Sequence, residues 1–222
     1  MRRSARVHAG RLALLLCVAL LATGCAFADL EGFQPGQLPA PPGGGAADAA
    51  GDGDCTDVLL LAARGTGEPG TLGFVVGDPL FRALRREVGS ASASPVDYPA
   101  VAVTLSGVQQ GADDVVAQLG AQADVCPDQR FALSGYSQGA MVIVSALEDI
   151  PADVAERVAA VVLFGNPYRA RGTGDFEDRT LDICATGDTV CGGGGGGSGV
   201  GHISYGGDVG RAAAFIAEQL GA

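Results

Sequence analysis

The chain has 222 residues, 47% of them apolar and 18% charged, and a formal net charge of −11, so it can hold one large domain or two small ones around a sizeable core. All 14 basic residues are arginine; without a lysine amine, Schiff-base and P-loop chemistry are excluded. Nucleic acid and anionic membrane surfaces are not expected partners, because no basic stripe exists to displace counterions.

Arg2, Arg3, Arg6 and Arg11 precede the apolar run LALLLCVALL at 12–21, the layout of a secretory signal. A membrane span needs roughly 20 apolar residues, so this run is too short to anchor the mature chain. Loss of the four arginines takes the mature protein to a charge of about −15. Two cleavage sites compete. LATGC at 21–25 resembles a bacterial lipobox, which would remove residues 1–24 and leave Cys25 acylated as a lipid anchor to the cell membrane. Ala26-Phe27-Ala28 instead suits ordinary signal peptidase, with cleavage after Ala28. The lipobox is preferred, although the segment that follows fits both. Residues 25–54 form a flexible tether, whose stretch FQPGQLPAPPGGGAADAAGDGD (33–54) is Pro/Gly/Ala-rich and lacks apolar periodicity.

Strands and helices then alternate. VLLLAA (58–63) is a continuous apolar run ending at the glycine-rich RGTGEPGTLG (64–73), as expected of a parallel strand buried on both faces. DPLFRALRREVG (78–89) puts Leu80, Phe81, Leu84 and Val88 on one helical face. VDYPAVAV (96–103) reads as a short strand or extended segment in which Pro99 limits pairing. Ser106 reads as the cap of a long helix, with Val108, Ala112, Val115, Val116 and Leu119 on one side, ending near Cys126-Pro127. FALS (131–134) is a strand, followed by a helix through AMVIVSALED and a helical turn from Pro151. AAVVLFG (159–165) and TLDIC (180–184) are strands, Gly192–Gly197 a mobile loop, and DVGRAAAFIAEQL (208–220) a closing helix. The alternation predicts one α/β domain over 55–222, with a central, mainly parallel sheet of about five strands covered on both faces.

Cys17 leaves with the signal, and Cys25 is either lipidated or removed. Cys55, Cys126, Cys184 and Cys191 remain, an even number that suggests two disulfides in an exported chain. Spacing favours Cys184 with Cys191, which leaves Cys55 with Cys126. A thiolate metal site is the weaker alternative, since there is no C-x-x-C pair; no metal and no cofactor are expected.

Gly135-Tyr136-Ser137-Gln138-Gly139 fits G-x-S-x-G between a predicted strand and a predicted helix. A tight turn there lifts the serine hydroxyl above the sheet. Glycines flank it because a Cβ would collide in a strained turn, and the helix start aims N–H groups and a positive dipole end at the site. An ordinary turn of small residues is the competing reading. A serine nucleophile needs a base; His8 leaves with the signal, so the base is His202, on the loop GVGHISY. Asp149, Asp153, Asp175, Asp178, Asp182 and Asp188 all lie between serine and histidine, with three glutamates. Asp188 stands out, because it follows a strand and sits in CATGDTVC, which a Cys184–Cys191 bridge would rigidify. Its alternative role is a plain turn residue. The order Ser, Asp, His is that of α/β-hydrolases.

With ARGTGEPGTLG, DYPAV, GYSQGA, CATGDTVC and a histidine eleven residues past the last cysteine, the chain resembles the cutinase-family serine esterases of actinobacterial type, over roughly 55–222. The resemblance implies a three-layer α/β-hydrolase fold, two bridges at the four cysteine positions, Ser137 as nucleophile, His202 as base and Asp188 as its orienting acid. It also places Thr66, in RGTG, at the oxyanion position, with the Gln138 backbone N–H as second donor. Both sites answer to the hydrolase pattern of one amide after the nucleophile and one from an early loop. One departure concerns GGGGGGSGVG before the histidine, where the family carries bulky apolar residues; a looser acyl cleft is expected there. The expected activity is an exported, monomeric serine esterase acting on carboxylic esters with apolar acyl groups through an acyl-enzyme. Alternatives are a phospholipase or acyltransferase on envelope lipids, or a non-catalytic envelope binding protein of the same fold.

Overall fold

In the computed structural model, residues 55–194 and 196–222 are described; the expected signal, Cys25 and the tether lie outside them. Six parallel strands form the sheet, in the order β2-β1-β3-β4-β5-β6. They are β1 (Val58–Ala63), β2 (Ala91–Pro95), β3 (Arg130–Tyr136), β4 (Val158–Phe164), β5 (Thr180–Thr186) and β6 (Gly196–Val200). The helices are α1 (Gly77–Glu87), α2 (Leu105–Val125), α3 (Gln138–Ala146), the short α4 (Ala152–Ala155) and α5 (Val209–Leu220).

Side chains alternate across each strand, and here both faces are covered. Leu59, Leu61, Phe131, Leu133, Val161 and Leu163 pack with Val108, Ala112, Val115 and Leu119 of α2 and with α3. Val58, Leu60, Ala62, Ala132, Val162 and Phe164 pack on the other face with Leu80 and Leu84 of α1 and with Ala213 and Ile216 of α5. Two-sided burial is why β1, β3 and β4 are apolar without a break. The result is the three-layer α/β-hydrolase arrangement.

Three expectations need correction. The sheet has six strands rather than about five, because part of the glycine run is not a loop: Gly196–Val200 pairs with β5. A Cβ on Gly197 would stand 2.8 Å from Ala185 Cα, so this strand approaches its neighbour closely because it lacks side chains. Residues 96–103 are not a strand; pairing with β1 is made by ASASP at 91–95 instead. Beyond it the chain crosses the strand ends, burying Tyr98 and Ala100 and exposing Val101 and Val103. The helix α2 is capped by Thr104 rather than Ser106, its hydroxyl accepting from the Gly107 N–H at 3.0 Å.

The strand order turns outward in both directions between β1 and β3. In an open parallel sheet this switch point leaves a crevice at the carboxyl ends of the strands. The loop holding Thr66 leaves β1 there, and Ser137 leaves β3.

Candidate active site

Among the described residues Ser137 is the one non-glycine residue with positive φ, at 55°, and ψ is −115°. It stands between β3 and α3 in a conformation that costs on the order of 1–3 kcal/mol and persists only when its surroundings enforce it. They do. A Cβ on Gly135 would lie 2.5 Å from the Gly139 carbonyl oxygen, and one on Gly139 would lie 1.9 Å from that of Ala63. The strand–turn–helix junction therefore closes only with glycine at both places.

The strained turn presents Ser137 Oγ to His202 Nε2 at 2.8 Å, and His202 Nδ1 lies 2.8 Å from Asp188 Oδ2. Asp188 is 1% exposed. Burial pushes its carboxyl up, but hydrogen bonds from Tyr205, His202 and the Val190 amide outweigh that and leave it below the ordinary aspartate value. An ionised carboxylate only accepts, so Nδ1 carries the imidazole proton and Nε2 is free to accept the serine proton. Of the six aspartates between serine and histidine, the fold brings Asp188 to the imidazole; Asp182 instead faces Asn166 and Arg169.

Thr66 and Gln138 also meet. The Thr66 hydroxyl donates to Gln138 Oε1 at 2.8 Å, and Gln138 Nε2 donates to the Ala102 carbonyl at 3.0 Å. Gln138 is fully buried. Its side chain thus ties the loop after β1 to the loop before α2, which the Gly67 N–H also grips through the Ala100 carbonyl at 2.6 Å. As the first residue of α3, Gln138 has a backbone N–H that the helix ladder does not use. Glu68 shapes the Thr66 loop from within, accepting from Gly65 N at 2.6 Å and Val75 N at 2.5 Å. Burial pushes its carboxyl up, against these amide bonds.

Sequence reasoning missed four residues around this line. Tyr136 donates to the His202 carbonyl at 2.8 Å, and its ring lies 5.2 Å from the imidazole; burial, aided by the charges of Glu68 and Asp188, pushes its hydroxyl up to about 12. The hydroxyl of Tyr205, which is completely buried, donates to Asp188 Oδ2. Gly165, at φ 57°, lies under the imidazole, where a Cβ would be 2.9 Å from His202 Cε1. Asp208 accepts the Ser198 N–H with both oxygens, at 3.0 and 3.1 Å, and holds β6. Tyr136 lies inside the G-x-S-x-G pattern and Tyr205 three residues beyond the histidine, but no spacing rule marks either.

Disulfides join Cys55 with Cys126 and Cys184 with Cys191. The second closes the loop that carries Asp188. A cavity of about 640 Å³, lined by Leu147, Ile150, Phe176, Arg171 and Arg179 among others, lies at the far end of α3. It shares no residue with the serine–histidine–aspartate line.

Residues 54–220 match the family model described as Cutinase. The chain is 39% identical over 177 residues to a cutinase of Botryotinia fuckeliana, covering 75% of this chain and 85% of that protein. It is 36% identical over 199 residues to the carboxylesterase Culp1 of Mycobacterium tuberculosis, covering 82% of this chain and 89% of that one. Among solved structures, a Trichoderma reesei cutinase in complex with a C11Y4 phosphonate inhibitor superposes with a TM-score of 0.66 at 35% identity, over 75% of this chain and 77% of that chain.

Proposed function

The chain belongs to the cutinase family and is a carboxylic ester hydrolase, and we propose that it is an exported serine esterase in which Ser137, His202 and Asp188 act as a triad on esters with apolar acyl groups. The observation that carries this is the unbroken line from Ser137 Oγ through His202 to Asp188, with two contacts of 2.8 Å. As the Ser137 oxygen attacks the ester carbonyl, Nε2 takes its proton and Asp188 stabilises the imidazolium. The tetrahedral oxyanion is met by the N–H groups of Gln138 and Thr66. Collapse passes the proton to the leaving alcohol. Water, activated by the same imidazole, then hydrolyses the acyl-enzyme.

The preference for apolar acyl groups is supported by the loops at the strand ends. Phe74, Val101, Val103, Leu105, Val200 and Ile203 are all exposed large apolar side chains. They lie on the loop after β1, the approach to α2, and the segment around His202. Exposed apolar side chains on the segments that flank Thr66 and His202 in the chain suit apolar ligands. Glycine dominates the β6 side, so branched or bulky acyl groups meet little obstruction there. The same rim suits an envelope lipid, the substrate expected if Cys25 keeps a lipid and the tether (25–54) holds the domain (55–222) at the membrane. Two disulfides fit an oxidising, extracytoplasmic setting.

Ser137→Ala should reduce p-nitrophenyl butyrate turnover by a factor on the order of 10⁴ or more. A fluorophosphonate should label the parent protein once, at Ser137. Undiminished turnover in the variant ends the assignment. A series of p-nitrophenyl esters of rising chain length, set beside phospholipid vesicles, separates esterase from phospholipase, and the intact mass of the mature N-terminus decides the fate of Cys25.

A further inference from the structure

We infer that Tyr205 is a positioning residue for ester hydrolysis, holding the Asp188 carboxylate in the orientation that aligns His202 with Ser137. The inference rests on the triad assigned above. Each Asp188 oxygen is engaged: Oδ1 accepts the Val190 N–H at 3.0 Å, while Oδ2 accepts both His202 Nδ1 at 2.8 Å and the Tyr205 hydroxyl. The phenol is itself oriented. Its oxygen accepts the Ala185 N–H at 3.1 Å, which turns the hydroxyl proton away from β5 and towards the carboxylate. The other neighbour of that proton, Cys191 Sγ at 3.5 Å, is a weak acceptor.

The ring cannot move out of this role. Tyr205 is 0% exposed, edge-on to Phe164 and Tyr136 at centroid distances of 5.8 Å each, and edge-on to His202 at 6.3 Å. Tyr205 therefore fixes Asp188 from a framework made by β4 and β5, while Tyr136 fixes the His202 carbonyl from the nucleophile turn. The proton shared with Oδ2 also draws off part of the carboxylate's charge. Without it, the full carboxylate charge faces the imidazolium that forms as Ser137 is deprotonated.

In full-length Tyr205→Phe, catalytic sites are counted with a fluorophosphonate, and p-nitrophenyl butyrate kinetics are measured per labelled site across pH. The expected result is a kcat lower on the order of 10-fold, a KM within about twofold of the parent, and an acidic limb of the kcat/KM profile moved to higher pH. A purely structural role for the hydroxyl would lower the number of sites and leave kcat per site and that limb in place. Replacement of Tyr205 by 3-fluorotyrosine keeps the hydroxyl and strengthens the donor, and should move the limb to lower pH; it decides the matter if the phenylalanine variant yields no folded sites. A parent-like kcat per site with an unmoved limb overturns the inference alone. A parent protein that the probe does not label overturns the triad and this inference together.

Discussion

Gln138 divides its work by atom. Its backbone N–H faces the proposed oxyanion, whereas its buried side chain clamps Thr66 and Ala102, contacts of 2.8 and 3.0 Å. In Gln138→Leu the volume is kept, but the Ala102 carbonyl loses its donor and the Thr66 hydroxyl its acceptor. Leaving such groups unpaired costs about 1–3 kcal/mol, and the loop bearing the Thr66 amide is no longer fixed against α3. Expected outcomes are a stability loss of that size by urea denaturation and a kcat reduced on the order of 10–100-fold, with Ser137 still labelled at a slower rate. An unchanged kcat would confine the side chain to a structural role. At this scale, the proposed nucleophile was legible because a G-x-S-x-G pattern sat between a strand and a helix, and the proposed base because His202 is the one histidine outside the expected signal. Asp188 was legible through its loop. Tyr205, Gly165 and Glu68 were not, because their roles arise from contacts across separate segments and leave no periodicity behind.

Strands were legible in proportion to their burial. VLLLAA, RFALSGY and VAAVVLF lie inside the sheet, and both of their faces demand apolar side chains. The edge strands ASASP and GGSGV carry small or polar residues, which resemble loop composition. Backbone pairing and two side chains secure β6: Asp208 holds the Ser198 N–H, and Arg211 Nη1 donates to the Gly196 carbonyl at 2.5 Å. Next to it, β5 carries a charge that the apolar pattern would not predict. Asp182 Oδ2 accepts from Asn166 at 3.0 Å, but Oδ1 is buried with no hydrogen-bond partner, and Arg169 Nε stands 4.0 Å from it. Burial raises the Asp182 carboxyl above its ordinary value, although Asn166 and Arg169 pull the other way. The folded state thus holds this proton more tightly than the unfolded chain, so the Asp182 contribution favours folding at low pH and declines as pH rises through the raised value. Asp182→Asn removes that dependence. Relative to the parent, the variant should gain stability from acid to neutral pH, reaching about 1 kcal/mol, as read from denaturant midpoints at both pH values. A parent more stable than the variant at neutral pH would mean that the Arg169 pair outweighs burial.

Across the whole molecule, the two disulfides fasten opposite ends of the sheet. Cys55 precedes the amino end of β1 and pairs with Cys126, at the foot of α2, across a separation of 71 residues. None of the proposed triad lies there. Cys184 and Cys191, seven residues apart, instead enclose Asp188 at the carboxyl ends, and Cys191 Sγ lies 3.5 Å from the Tyr205 hydroxyl. Loop entropy therefore ranks the bridges one way and chemistry ranks them the other. Opening the long loop in Cys55→Ser/Cys126→Ser should lower stability by about 4 kcal/mol, whereas opening the short one in Cys184→Ser/Cys191→Ser should cost about 2–3 kcal/mol. The activity per fluorophosphonate-labelled site should follow the reverse order. It stays at the parental level in the first variant, because the strand ends that hold Ser137 and His202 are untouched. It falls on the order of 10-fold or more in the second, because the carboxylate loses the closed loop that keeps it against the imidazole. Thermal denaturation and burst titration on the same samples separate the two quantities. Equal activity per site in both variants would show that Val190, Tyr205 and His202 hold Asp188 without help from the bridge.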